Sequence, residues 1–222
     1  VFFETADMIF EVMRIFVEMK AEEPIESYDK LNPDGLYTYW DYLKWQFAER
    51  VELIRGRLFK MSPAPGSLHQ TIAGNLFFRV NSIFWAKSCR VFPAPFDVRL
   101  PIAGNLKDST VVQPDLCVVC DEAKLSDSRG CNGAPDLVAE ILSPGNSRHE
   151  MDTKFHLYEE SGVKEYWIIQ PESRTVLVYH LINGLYSGLP PFTEGMELHG
   201  LVFPDLRFPV DELFHKLPKR EG

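Results

Sequence analysis

Two acidic residues, Asp115 and Glu140, border or interrupt short apolar runs, and Lys154 falls inside the apolar face of a helical segment that follows them. The runs Leu116 to Cys120 and Leu137 to Leu142 are rich in Val, Ile and Leu, carry Pro-Asp in front, and read as buried strands. The stretch between them, DEAKLSDSRGCNGAP, is dense in Asp, Ser, Gly and Asn, so the simplest topology is an antiparallel pair closed by a long connection. Facing side chains on adjacent strands have Cβ atoms about 4.5–5.5 Å apart, close enough for Asp115 and Glu140 to share one hard cation. Asp136 lies four residues before Glu140 on the same strand, roughly 13 Å away at ~3.3 Å per residue, too far for the same ion. It is read as a strand-start aspartate bonding its own backbone, a reading that is also open for Asp115.

Glu140 is harder to assign to solvent. Val138, Ala139, Ile141 and Leu142 surround it, and burying an unpaired carboxylate costs several kcal/mol. Compensation can come from a buried ion pair with Lys154 or Arg148, or from a divalent metal held with Asp115, and both readings stand open. A helix over Arg148 to Ser161, closed by Gly162, places Met151, Phe155, Leu157 and Tyr158 on an arc of roughly 160° with Lys154 near its middle. Lys154 either snorkels to the rim or reaches the carboxylates at the end of the preceding strand.

Other elements must position these groups. Thr38, with Asp41 in the first turn, caps a short helix whose inner face is Tyr39, Tyr42 and Leu43. Val51 to Ile54 and Leu58 to Met61 flank Arg55-Gly56 as a hairpin. Ser67 and Gln70 fit a capping box that opens the first long helix, with Ile72, Leu76, Phe77, Val80, Ile83 and Phe84 as its buried stripe. His69 and Gln70, in the first turn of that helix, are candidates for binding a substrate phosphate, because the helix dipole favours anions there; a surface histidine is the plainer alternative. Phe92 to Leu100 reads as one strand with prolines early in it, Glu165 to Gln170 and Thr175 to Leu181 as two more. A strand, helix, strand passage from Leu137 to Gln170 implies a right-handed parallel crossover. The tail LVFPDLRFPVDELF is expected to end in a short helix after Asp211.

A chain of 222 residues can bury a sizeable core in one domain with additions. No apolar run approaches the ~20 residues needed to span a bilayer, and no membrane partner is expected. The net charge of −9 and sequence pI of about 5.2 argue against a strong, unspecific nucleic-acid binder. A bound divalent cation or a local cluster of basic side chains would offset that charge. Cys117 and Cys120 have CxxC spacing, but residues three apart in a strand face opposite sides and cannot chelate zinc together. Cys89, Cys117, Cys120 and Cys131 are therefore read as buried, reduced cysteines of a cytoplasmic protein. Met8, Ile9, Val12, Met13, Phe16 and Val17 form an appended amphipathic helix, and AEEPIESYDKLNPDG an acidic linker, so residues 1–37 are set apart from a domain over 38–222. The chain has no glycine-rich phosphate loop and no GxSxG nucleophile elbow.

The strings VELIRGRLFKMSPAPGSLHQ, VFPAPFDVRL, QPDLCVVC, GAPDLVAEILSPGN and KFHLYEESGVKEYWIIQP, spread in order over Thr38 to Phe214, resemble the Uma-two family of bacterial restriction endonucleases. The resemblance implies an α/β restriction-endonuclease-like fold of the PD-(D/E)XK superfamily, with a mixed central sheet flanked by helices. It also implies phosphodiester hydrolysis in DNA with Mg²⁺, for which Mn²⁺ can substitute. By position, Asp115 matches the motif aspartate and Glu140 the second acid, with the Ile141 carbonyl as a further metal ligand. The usual lysine two residues later is replaced by Leu142, and Lys154 on the following helix is the matching residue. An added carboxylate recurs in the superfamily, and Glu52 is the candidate; a solvent-facing glutamate paired with Arg57 is the alternative. By analogy with restriction enzymes a homodimer is considered, with the N-terminal helix as interface. The rival function is a non-catalytic nucleic-acid or protein binding module that retains the fold, a reading favoured by the acidic charge and Leu142.

Overall fold

The computed structural model describes residues 24–61, 66–102, 108–143 and 148–217. The predicted helix around Met8 to Val17 lies outside the described residues. Three helices are labelled here: α1 (Tyr39–Tyr42), α2 (Ser67–Phe84) and α3 (Arg148–Ser161). The strands are β1 (Val51–Ile54), β2 (Arg57–Lys60), β3 (Arg90–Pro93), β4 (Val98–Arg99), β5 (Val111–Val112), β6 (Leu116–Val119) and β7 (Cys131–Asn132). They continue with β8 (Leu137–Ile141), β9 (Glu165–Gln170), β10 (Thr175–Ile182), β11 (Leu185–Gly188), β12 (Phe192–Thr193), β13 (Glu197–His199) and β14 (Arg207–Pro209).

The larger sheet runs β11-β10-β9-β8-β6-β3, with β12 beside β10, and the smaller one β2-β1-β5-β4-β7; β13 and β14 pair separately. Pairing is antiparallel except for β8 with β9 and β4 with β7, so both main sheets are mixed. The parallel β8–β9 neighbours are joined through α3, the strand, helix, strand unit expected from the sequence. Strand alternation splits the core into two layers. Leu137, Ala139 and Ile141 of β8 join Ile72, Leu76, Val80 and Phe84 of α2 on one face. Val138 of the same strand joins Leu157 and Tyr158 of α3, together with Ile54, Val98 and Val112 of the smaller sheet, on the other.

Local chemistry accounts for most element ends. Thr38 caps α1 as expected and, beyond that expectation, Asp41 completes a reciprocal capping box; Gly162, with φ of 87°, follows the last residue of α3. Arg55 and Gly56 both take positive φ, 54° and 81°, as a two-residue hairpin between right-twisted strands requires.

Elsewhere the structure differs from expectation. The stretch from Phe92 to Leu100 is two strands in two sheets, because Pro93 and Pro95 cannot donate to a continuing ladder. The N-cap of α2 is Gly66, with no side-chain cap; Ser67 is already helical, so the Ser67–Gln70 capping box does not form. The closing helix is a single 3₁₀ turn over Val210–Glu212, which begins before Asp211. Residues 24–37 pack onto the body: Ile25 bridges Trp45, Leu31 is buried, and the Tyr37 N–H donates to the Gly56 carbonyl. Cys89 and Cys120 are joined as a disulfide, not reduced, because extending the Arg90↔Val119 register by one pair puts them face to face; Cys117 and Cys131 are free and buried as expected.

Glu165, fully buried at the start of β9, anchors the C-terminal segment. Its Oε1 accepts from Trp167 Nε1 at 2.7 Å, and its Oε2 from the N–H groups of Leu201 and Val202 at 2.7 and 2.8 Å. A side chain at Gly200 would overlap this carboxyl group. Glu165→Ala strands three donors, the buried Trp167 Nε1 and two partly buried N–H groups, at roughly 1–3 kcal/mol each. Urea unfolding is expected to show a loss of at least about 3 kcal/mol; a loss under 1 kcal/mol would refute the anchoring role.

Candidate active site

Extending the β6–β8 register (Leu116↔Ala139) by one pair sets Asp115 opposite Glu140, as the two predicted strands required. Glu140 lies on the α3 face of β8, where α3 brings in Lys154 and, one turn later, Tyr158. Residues four apart share a helix face, so both reach the same acceptor. Lys154 Nζ donates to Glu140 Oε1 at 3.0 Å and the Tyr158 hydroxyl to the same oxygen at 2.7 Å. Lys154 Nζ also donates to Glu52 Oε1 at 3.1 Å, which ties β1 of the smaller sheet to β8 of the larger.

Glu52 is only 4% exposed and does not pair with Arg57, which stands opposite Ile54 in the hairpin. Its Oε1 additionally accepts the Gln113 backbone N–H at 2.9 Å. Asp115 bonds neither its own backbone nor Lys154. Its Oδ2 accepts the Ile141 N–H at 2.8 Å and faces His69 Nε2 at 3.1 Å. His69 is thus a buried member of the group, reached because the first turn of α2 ends over Asp115. Gln70 is exposed and is not brought in. Asp136 is structural, as expected, but its partners are the Cys120 N–H and Lys164 Nζ, not its own backbone. The side chain of Arg148 lies outside the described part of the structure.

Burial sets the electrostatics. It raises the Glu140 carboxyl to about 7; Lys154 and the Tyr158 hydrogen bond oppose the rise, and the Asp115 and Glu52 charges add to it. Burial disfavours the Lys154 ammonium, yet Glu140 and Glu52 outweigh it and hold that group well above the ordinary lysine value. Tyr158 is pushed up by burial and by both glutamates, so its phenol keeps the proton that it donates. His69 loses proton affinity to burial and regains more from its Asp115 hydrogen bond and from the Asp115 and Glu140 charges, for a net rise.

Each of the three acids engages one oxygen: Oε1 of Glu52, Oδ2 of Asp115 and Oε1 of Glu140. Among the described residues no protein donor reaches the second oxygen of any of them. Hard oxygens of this kind suit Mg²⁺ or Mn²⁺, which commonly take one or two carboxylates and fill their remaining positions with water and substrate phosphate. Among the described residues no group of three His, Cys, Asp or Glu is assembled as a ready ion cage. The second oxygens of these acids fit an ion that takes one or two carboxylates and completes its shell with water and phosphate.

Gln113 and Tyr158 were not singled out from sequence as partners of the acids. Gln113 orients Glu52 through its backbone, for which there is no side-chain signal. Tyr158 was legible as four residues from Lys154, but counted only as core.

The mixed-sheet α/β body is of the restriction-endonuclease-like fold class. The chain belongs to the Uma2 family, whose model, described as "Putative restriction endonuclease", matches residues 40–211. A crystal structure from Anabaena variabilis, described as "a putative nuclease belonging to DUF820", is similar, with a TM-score of 0.63 at 22% identity over 80% of this chain and 97% of that one. At that identity the likeness speaks for the fold. No curated protein matches the chain. No helix among the described residues is long and apolar enough to cross a membrane.

Lys154→Met would leave Glu52 and Glu140 buried without their cation, at a cost of about 3–5 kcal/mol. Without the ammonium, Glu140 holds its proton to still higher pH, so the loss is expected to be larger at pH 8 than at pH 6. Equal losses at the two pH values in denaturant unfolding would contradict this charge balance.

Proposed function

We propose that this chain is a metal-dependent DNA endonuclease that hydrolyses phosphodiester bonds. The observation that carries the reading is the delivery of Lys154 from α3 onto Glu140 and Glu52, beside Asp115. An acid, acid, lysine set is thereby assembled although Leu142 occupies the place two residues after Glu140. Asp115, Glu140 and the Ile141 carbonyl would hold Mg²⁺ or Mn²⁺. Such an ion supplies a more acidic water and stabilises charge on the phosphoryl oxygens.

The chain's own groups take separate parts. Lys154 keeps its proton and so serves as a donor to the phosphate or to the attacking water, not as a base. Glu52 is a second acceptor that fixes the Lys154 ammonium together with Glu140. His69 and the Ile141 N–H hold Asp115 by one oxygen and leave the other to face the substrate.

One observation favours the binding-module reading: the ion pair already neutralises much of the buried charge, so the group is stable without a metal. Calorimetric titration of Mn²⁺ separates the two. One site is expected in the wild type, lost in Asp115→Ala and in Glu140→Ala, with metal-dependent nicking of plasmid DNA falling at least ~10³-fold in both. Glu140 must shed its proton to bind the ion, so affinity is expected to fall roughly tenfold per pH unit below about 7. Full cleavage by Glu140→Ala would sink the assignment, and no Mn²⁺ binding with or without DNA would move the binding module ahead.

A further inference from the structure

We infer that Arg50 is a phosphate anchor, one that grips the substrate strand beside the bond to be cut; the inference rests on the endonuclease reading above. Arg50 immediately precedes β1, is exposed, and has its backbone fixed by the Met61 N–H, which donates to its carbonyl at 2.9 Å. Residues two apart in extended chain point to the same side, so Arg50 and Glu52 share one, about 6.6 Å apart along the strand.

The guanidinium is held by Gln113, whose amide orientation is determined by its partners. Its Nε2 donates to Asp97 Oδ1 at 2.8 Å and to the Tyr42 hydroxyl at 3.1 Å, which turns Oε1 toward Arg50 Nη2 at 2.9 Å. The backbone N–H of the same Gln113 donates to Glu52 Oε1. One residue thus ties the arginine to a carboxylate of the site, with its position set by β5 and by Asp97.

The Arg50 partner is neutral, unlike those of five of the nine arginines whose side chains are described. Arg55, Arg79, Arg99, Arg174 and Arg207 each lie against a carboxylate. Among the described residues no carboxylate lies within ion-pair distance of Arg50. Its charge is therefore uncompensated at contact range, and most of its five N–H donors remain open. Lys154, the other cation of the group, is taken up by Glu52 and Glu140. Three carboxylates repel a polyanion, so holding one there calls for a fixed cation whose charge is not already spent. A guanidinium oriented by one hydrogen bond, with an open N–H edge, matches a phosphodiester oxygen pair.

The test uses the full chain with Ca²⁺, a cation of the same charge and oxygen preference, and fluorescein-labelled duplex and single-stranded DNA read by anisotropy across a salt series. Arg50→Gln is expected to bind about tenfold more weakly at 0.1 M salt, with the slope of log K against log salt reduced by about 0.9, one phosphate contact. Arg50→Lys is expected to keep the slope, and both variants to keep the wild-type melting temperature and Mn²⁺ titration. An unchanged slope and affinity in Arg50→Gln would overturn the anchor, and the endonuclease reading would still stand if Asp115→Ala and Glu140→Ala had lost cleavage. Absence of binding to either DNA form by the wild type would overturn both.

Discussion

An ammonium group between two buried carboxylates holds this molecule's two sheets to a single geometry. Glu140 is 8% exposed and Glu52 4%, and two carboxyl groups brought together at that depth call for a compensating partner. Lys154 comes from a third element, α3, so the contact requires β1, β8 and α3 to be in register at once. A slip of one residue in β8 would turn Glu140 toward α2 and put Ala139 or Ile141 against the lysine. The ion pair is therefore best seen as a positional constraint, since its stabilising and desolvation contributions largely offset each other.

Function follows from what that constraint leaves open. Each acid spends one oxygen on protein donors. The fixed donors, namely Lys154, Tyr158, His69 and the Ile141 and Gln113 N–H groups, decide which oxygen is spent, and in the proposed function a cation or a substrate would take the second. Such preorganisation avoids reorientation at the moment of reaction. On the proposed reading, the raised proton affinity of Glu140 would set proton against metal at one carboxylate and make the group sensitive to pH near neutrality.

Much of this was legible in the chain. The Asp115 and Glu140 strands, their antiparallel pairing and the inward-facing Lys154 all follow from short apolar runs, Pro-Asp starts and helical periodicity. The limits of α3 followed from the same periodicity and a closing glycine. The less legible features depend on register between distant segments. Glu52 looked as ready to face solvent as to face the core, because alternation marks faces without saying which of them another sheet covers. His69 could be placed in a helix's first turn, but that the turn sits over Asp115 is a tertiary fact. The Cys89–Cys120 bond depends on β3 and β6 pairing without offset. The two-strand break after Phe92 is signalled by its prolines, which suit the edge position that β3 takes and also mark the change of sheet.

The family match and the shared fold give the molecule its class, and the proposed chemistry rests on the arrangement of three acids, a lysine and a histidine. Anomalous diffraction from crystals grown with Mn²⁺ and a short DNA duplex tests the central claim most directly. The account requires a manganese peak at ligand distance from both Asp115 and Glu140, with Lys154 still in contact with Glu140 or turned onto the phosphate. A well-ordered complex without a peak between those two carboxylates, or with the metal held elsewhere, would contradict it.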